Sequence, residues 1–162
     1  MKKAVISLSG GMDSTGLLVH LLAQGYEVYA LSFYYGQKHR VELTRANKNA
    51  EYLKTKGYKV HQMVSDISGA MSVFDSALTS DDIDIPEGHY EQDNMKATVV
   101  PNRNAIFASV IYGYALSLAT KFDEDVIIGL GVHSGDHAIY PDCRPEFYEA
   151  IENAFKIGNW DS

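Results

Sequence analysis

Cysteine is almost missing from this chain: of 162 residues only Cys143 carries a thiol. That excludes an intramolecular disulfide and the usual structural zinc sets, which need several cysteines. It also fits a reducing, cytoplasmic setting. A surplus of positive charge is missing too. Lys and Arg total 14 against 21 Asp and Glu, a formal net charge of −7, whereas nucleic-acid surfaces carry a basic footprint. The loose group Lys38, Arg40, Arg45 and Lys48 reads as the solvated face of a helix. A small-molecule substrate is therefore expected, with no nucleic acid. No apolar run reaches the length of a membrane span. Met1-Lys2-Lys3 leads straight into a strand without a signal-peptide pattern, so no membrane attachment is expected. Neither the Gly-Lys-Ser/Thr ending of a kinase-type phosphate loop nor the spaced glycines of a dinucleotide fold occurs.

What is present begins at Ser7-Leu8-Ser9-Gly10-Gly11-Met12-Asp13-Ser14. Ala4, Val5 and Ile6 lead in as a buried strand. Leu17, Leu18, Leu21 and Leu22 lead out at helical spacing. The glycine pair lets the backbone turn sharply and approach a ligand. The first amides of the following helix lack partners and carry partial positive charge, which suits phosphate. Ser9 and Ser14 add hydroxyls, and Asp13 can cap the helix or hold magnesium against phosphate oxygens. The plain alternative is a glycine turn with a serine cap. Ser9-Gly10-Gly11-Met12-Asp13-Ser14 resembles the PP-loop of the N-type ATP pyrophosphatases. The resemblance implies cleavage of ATP between its α and β phosphates and transfer of AMP to a substrate.

The remaining pattern predicts one α/β domain over residues 1–162. Strands are expected at Lys2–Ser7, Tyr26–Tyr34, Lys59–Val64 and Asp125–Gly129. Helices are expected at Asp13–Gln24, Arg40–Lys56 and Asn102–Thr120, with a last one opening at Pro145 and ending before Gly158. Short βα links imply a parallel sheet with right-handed crossovers. Asp66–Val100 is acidic and aperiodic; it is expected to be a flap with a short helix at its start. Ile106, Phe107, Val110, Ile111, Tyr114, Ala115 and Leu118 cover more than one helix face, as in a central helix or one facing a second subunit. Ligands bind beyond the carboxyl ends of such strands, so loops after the first, second and fourth strands should converge.

Three further stretches carry chemistry. Gly131–Phe147 gathers His133, Ser134, Asp136, His137, Tyr140, Asp142 and Arg144. Arg144 has a planar fork suited to a carboxylate or phosphate. Asp136 or Asp142 can accept from a purine-like edge, and His133 or His137 can move protons near neutral pH. Each histidine alone can equally be a hydrogen-bonded loop residue. In Val100-Pro101-Asn102-Arg103-Asn104, Asn102 or Asn104 is expected to cap the helix. Arg103 stands where a cation opposes the helix dipole. That placement suggests phosphate binding, or else a reach to the acidic flap. In Ser32–His39, Gly36 turns the chain, and Gln37, Lys38 and His39 are expected to point to the ATP site.

Together these stretches resemble the 7-cyano-7-deazaguanine synthases of queuosine precursor biosynthesis. The resemblance implies a Rossmann-like (HUP-like) three-layer parallel sheet of the adenine nucleotide α hydrolase type. It implies an ATP-dependent carbon–nitrogen ligase that converts 7-carboxy-7-deazaguanine and ammonia to the nitrile through an adenylated carboxylate and then an adenylated amide. By position Leu8, Ser9, Gly10, Gly11, Met12, Asp13, Ser14, Thr15, Gly16, Leu17 and Leu18 would form the ATP loop, joined by Lys38 and Arg103. His133, Ser134, Asp136, His137, Asp142 and Arg144 would form the substrate region. Of these, Asp13, His133, Asp136 and Arg144 would be catalytic. The resemblance also implies a homodimer, and a C-terminal zinc segment whose four cysteines have no counterpart here. Two rival readings share the ATP loop: a tRNA-modifying thiolase or lysidine-type ligase, and a non-catalytic nucleotide-binding module.

Overall fold

The computed structural model describes residues 1–38, 40–74, 100–131, 141–160 and 162. In chain order the elements are β1 (Lys3–Ser7), α1 (Met12–Ala23), β2 (Glu27–Tyr34), α2 (Val41–Thr55), β3 (Val60–Asp66) and α3 (Ser68–Met71). They continue with α4 (Arg103–Phe122), β4 (Val126–Gly129), a 3₁₀ turn (Pro141–Cys143) and α5 (Pro145–Gly158). The predicted strands and helices are all present within two or three residues. β3 runs on to Asp66, and α5 runs through Gly158 instead of ending before it.

The strands are parallel, in the order β3-β2-β1-β4. Both faces of the central strands are covered, which explains their unbroken apolar runs. Ala4, Ile6, Leu8, Val28 and Ala30 pack against Leu18, Leu21 and Leu22 of α1 and Ala46, Ala50 and Leu53 of α2. The alternate residues Val5, Tyr29, Leu31 and Phe33 pack against Ile111, Ala115 and Leu118 of α4. The result is the expected three-layer arrangement. β2 and β4 leave β1 on opposite sides, so the strand order reverses at β1. That reversal opens a crevice at the carboxyl ends of β1 and β4.

α4 calls for a correction. By length and composition its twenty residues are apolar enough to cross a membrane, contrary to the expectation that no segment would be. It packs one face on β1 and β4, where it buries Ala108, Ile111, Ala115 and Leu118. α3 is the short helix expected where the chain leaves β3. Most of the expected flap, residues 75–99, lies outside the described residues.

Candidate active site

At the switch point the chain turns on Gly10 and Gly11. Gly10 has φ +82° and Gly11 leads into α1 in extended conformation. A Cβ on Gly10 would stand 2.3 Å from the Glu42 carbonyl oxygen and 3.0 Å from the Ala46 nitrogen. The turn is therefore pressed against the first turns of α2. On the other side, a Cβ on Gly131 would lie 2.9 Å from Ser14 Cα and 3.0 Å from its nitrogen. The start of α1 is thus held on two sides, by α2 against Gly10 and by Gly131 beyond the end of β4.

Inside the turn, hydroxyls replace the expected carboxylate cap. Gly11 is the N-cap of α1 and makes no side-chain capping bond. Asp13 does not cap, because it already sits inside the helix and is exposed. Ser14 is buried; its Oγ accepts the Ser9 amide at 3.1 Å and lies 3.0 Å from Ser9 Oγ. Ser9 Oγ accepts the Gly11 amide at 3.3 Å. Helical bonding begins only with the Thr15 amide donating to the Gly11 carbonyl at 3.1 Å. The amides ahead of it have no carbonyl within the helix and face the crevice end.

The crevice is a cavity of about 360 Å³. Ser9, Asp13 and Ser14 form its floor, and Phe33, Tyr35 and Phe107 form an aromatic wall. Arg103 and Asn104 at the start of α4, Glu42 of α2, and Gly131, Cys143 and Tyr148 complete it. Phe33 and Phe107 stack with ring centres 4.2 Å apart and planes within 5°. Arg103 Nη1 donates to the Tyr35 hydroxyl at 3.2 Å. Its guanidinium carbon lies 5.7 Å from the Tyr35 ring centre and 6.0 Å from that of Phe107. No carboxylate among the described residues pairs with it. Burial, with Cys143 and Asp142 nearby, pushes the Tyr148 hydroxyl up to about 12. It therefore lines the cavity as a neutral phenol at working pH.

The sequence-predicted residues fall into several groups. Leu8, Ser9, Asp13, Ser14 and Arg103 border the cavity together. Gly10, Gly11, Met12, Thr15 and Gly16 belong to the turn and first helical turns but do not line it. Met12 is 88% exposed, and Leu17 and Leu18 turn into the sheet, Leu18 fully buried. Any contact of Leu18 with a nucleotide would be through backbone. Lys38 is exposed beside the β2 turn and does not border the cavity. Gln37 borders the cavity, yet its side-chain amide bonds back to its own turn. Asp142 lies in the 3₁₀ turn and Arg144 is the N-cap of α5; neither borders the cavity, although Cys143 between them does. His39, His133, Ser134, Asp136 and His137 lie outside the described residues.

The capping expected of Asn102 or Asn104 is not found. Asn102 sits at φ 58°, in left-handed conformation, where asparagine is one of the few tolerated side chains. A capping residue needs extended backbone to bring its oxygen over the first amides. Asn104 faces the cavity instead. Sequence reasoning missed the aromatic wall as part of the site. Phe107 reads as one more core position, and only the parallel pairing of β2 with β1 brings Phe33 to the crevice.

Comparison with known proteins bears on the family and the fold. The family model for queuosine biosynthesis protein QueC matches residues 3–162. The 7-cyano-7-deazaguanine synthase of Pseudoalteromonas translucida is 47% identical over 161 residues, 99% of this chain and 69% of that protein. That of Hahella chejuensis is 47% identical over 159 residues, 98% of this chain and 64% of that protein. That of Caldicellulosiruptor bescii is 48% identical over 158 residues, with 98% and 67% covered. The chain thus spans about two-thirds of the length of these relatives. A solved structure described as a predicted subunit of tRNA methyltransferase, from Methanocaldococcus jannaschii, superposes with a TM-score of 0.52. It shares 18% identity and covers 95% of this chain and 64% of its own, which shows a common fold. On the family match and the identity across nearly its whole length, this chain belongs to the QueC family of queuosine biosynthesis proteins.

Proposed function

We propose that this chain adenylates the carboxylate of 7-carboxy-7-deazaguanine with ATP, and that ammonia then carries the product to amide and nitrile. The observation that supports this most directly is the cavity itself. An amide-rich serine–glycine turn, packed at Gly10 against α2 and at Ser14 against Gly131, faces Arg103 across a space walled by aromatic rings. Such a turn stabilises charge growing on departing pyrophosphate without reorganising. Arg103 meets a phosphate oxygen from the opposite side. In the first step a carboxylate oxygen attacks the α-phosphorus, the bond to the β-phosphate oxygen breaks, and pyrophosphate leaves. Ammonia then adds to the acyl carbon, AMP departs, and a proton is lost to give the amide. In the second adenylation the amide oxygen attacks the α-phosphorus of another ATP, and a second pyrophosphate leaves. Loss of AMP and the remaining N–H protons leaves the nitrile.

Asp13 and Glu42 both border the cavity. One or two carboxylates beside phosphate oxygens is the donor set magnesium takes, so Asp13 would hold that ion and Glu42 could share it. The ion would neutralise phosphate charge when bound. Among the described residues no three of His, Cys, Asp and Glu converge, and Cys143 is the one cysteine of the sequence. Arg144 is assigned to the substrate carboxylate, with His133, Ser134, Asp136, His137 and Asp142 beside it on the same loop. A homodimer in the cytoplasm completes the proposal.

The test is product analysis with ATP, magnesium, 7-carboxy-7-deazaguanine and ammonia. AMP and pyrophosphate should appear only when the deazaguanine acid is present. Asp13→Ala should lower that rate by roughly a hundredfold or more, the scale of removing one charge-stabilising group, while the thermal midpoint stays put. ADP and orthophosphate as products, or full turnover by a folded Asp13→Ala protein, would refute the assignment.

A further inference from the structure

Gln37 is a buried polar side chain whose hydrogen bonds stay within its own turn. Only 8% of it is exposed. Its Oε1 accepts the Tyr35 amide at 2.8 Å, and its Nε2 donates to the Phe33 carbonyl at 3.2 Å. Both bonds close the turn that leaves β2, where Gly36 stands at φ +88°. Between them they fix the backbone of Tyr35. The Tyr35 ring rests on Phe107, centres 5.6 Å apart and planes at 53°. Its hydroxyl accepts from Arg103 at 3.2 Å. A long, rotamer-rich arginine is thereby given one acceptor and two ring faces, with no acid among the described residues to draw it away. An arginine held by a neutral acceptor keeps its full charge for an incoming anion. The remaining N–H groups of the guanidinium fork stay available to that anion.

We infer that Tyr35 and Gln37 are positioning residues, which act through Arg103 to hold its guanidinium ready for a phosphate of ATP. This rests on the reading of the cavity as the ATP site. Tyr35→Phe keeps the ring and removes only the acceptor. ATP affinity, measured by titration calorimetry with magnesium, should fall roughly tenfold, the size of one hydrogen bond to a charged group. In an Arg103→Lys background the same change should alter affinity by less than about twofold, because the group it positions is gone. Gln37→Leu should weaken ATP as Tyr35→Phe does, and the pair should not add. Steady-state kinetics should show the loss mainly in KM for ATP, with kcat changed less. Thermal midpoints of Tyr35→Phe should match the parent.

An equal loss in both backgrounds overturns the inference, since a merely structural tyrosine would behave additively. Undiminished affinity in Tyr35→Phe while Arg103→Lys binds poorly also overturns it, yet leaves Arg103 as the phosphate contact. Failure of the unaltered protein to bind ATP at all would instead bring down the functional reading beneath it.

Discussion

Gly10 lacks a side chain for two separable reasons, and the glycines of this chain let each be weighed. Gly25 has φ +87° with open space around it. Gly131 needs no left-handed backbone, but a Cβ there would strike the backbone of Ser14 at 2.9 Å. Gly10 carries both burdens. Alanine at Gly25 should cost about 1–2 kcal/mol, the strain of a left-handed residue. Alanine at Gly131 should cost about 1–3 kcal/mol as an overpacked contact, and Gly10→Ala should approach the sum. Urea titration reads the order. ATP titration should add a split: Gly25→Ala binds as the parent, whereas Gly10→Ala and Gly131→Ala lose binding because the amides of the turn are displaced. Normal ATP affinity in a folded Gly10→Ala protein would show that the turn does not shape the site. The Gly10-Gly11 pair is legible in the chain as a turn. The need for Gly131 is not, since Gly131 and Ser14 meet only because β4 pairs with β1.

Among the elements, those with alternating or helical apolar patterns were readable, while their ends and the extent of their cover were not. Strands buried on both faces show as apolar runs, and β1 and β2 do. α4 shows why pattern stops short. Its apolar residues spread over more than one face, but only Ala108, Ile111, Ala115 and Leu118 are buried. Ile106, Phe107, Val110 and Tyr114 are only partly covered, and Phe107 serves the cavity wall. Periodicity reports that a helix is apolar; it does not report what lies against each face. Helix starts failed for a similar reason. Asp13 and Asn102 have capping chemistry, but backbone conformation decides whether a side chain can cap, and Ser14 inside α1 bonds back to Ser9 of the turn instead. Burial yields the prediction at this scale. Ile111 is fully buried among Val5, Tyr29, Leu31 and Phe33. Ile111→Ala should destabilise by about 2–5 kcal/mol through lost burial and a residual cavity. Val19→Ala on α1, 47% exposed, should stay within about 0.5 kcal/mol of the parent. Equal urea midpoints for the two variants would contradict the packing of α4 on the sheet.

At the scale of the whole molecule, the sheet brings charged groups together at the end remote from the cavity. Parallel register sets Tyr29 beside His61, and their rings stack at 4.5 Å. The Tyr29 hydroxyl donates to Glu27 at 3.0 Å, and His61 lies 3.5 Å from the same carboxylate. Lys3, buried at the start of β1, reaches Glu124 at 2.6 Å. Tyr29 and Glu27 are two apart on β2, but the pairings with His61 and of Lys3 with Glu124 are not legible in sequence, because those partners lie far along the chain. Burial pushes the Glu27 carboxyl up, but Tyr29, His61 and Lys3 together outweigh it and hold it below the ordinary range. The hydrogen bond from Lys3 does the same for Glu124. Burial first, and then Glu27, push the Tyr29 hydroxyl up to about 12. The signs follow from proton linkage. Both carboxylates contribute stability that is complete above their ordinary value of 4.5 and lost as pH falls through their depressed folded values. Tyr29 keeps its proton in the folded chain while an unfolded one releases it near pH 10.0. Its contribution is whole below that pH and disappears as pH rises through about 12. Tyr148 behaves alike, raised by burial to about 12. Urea titrations from pH 9 to 12 should therefore show a falling stability whose slope is smaller in Tyr29→Phe and smaller again with Tyr148→Phe added. Parallel slopes in all three proteins would mean that the sheet does not bury the tyrosine against Glu27. In that case the packing of Tyr29 against α4 would have to be redrawn.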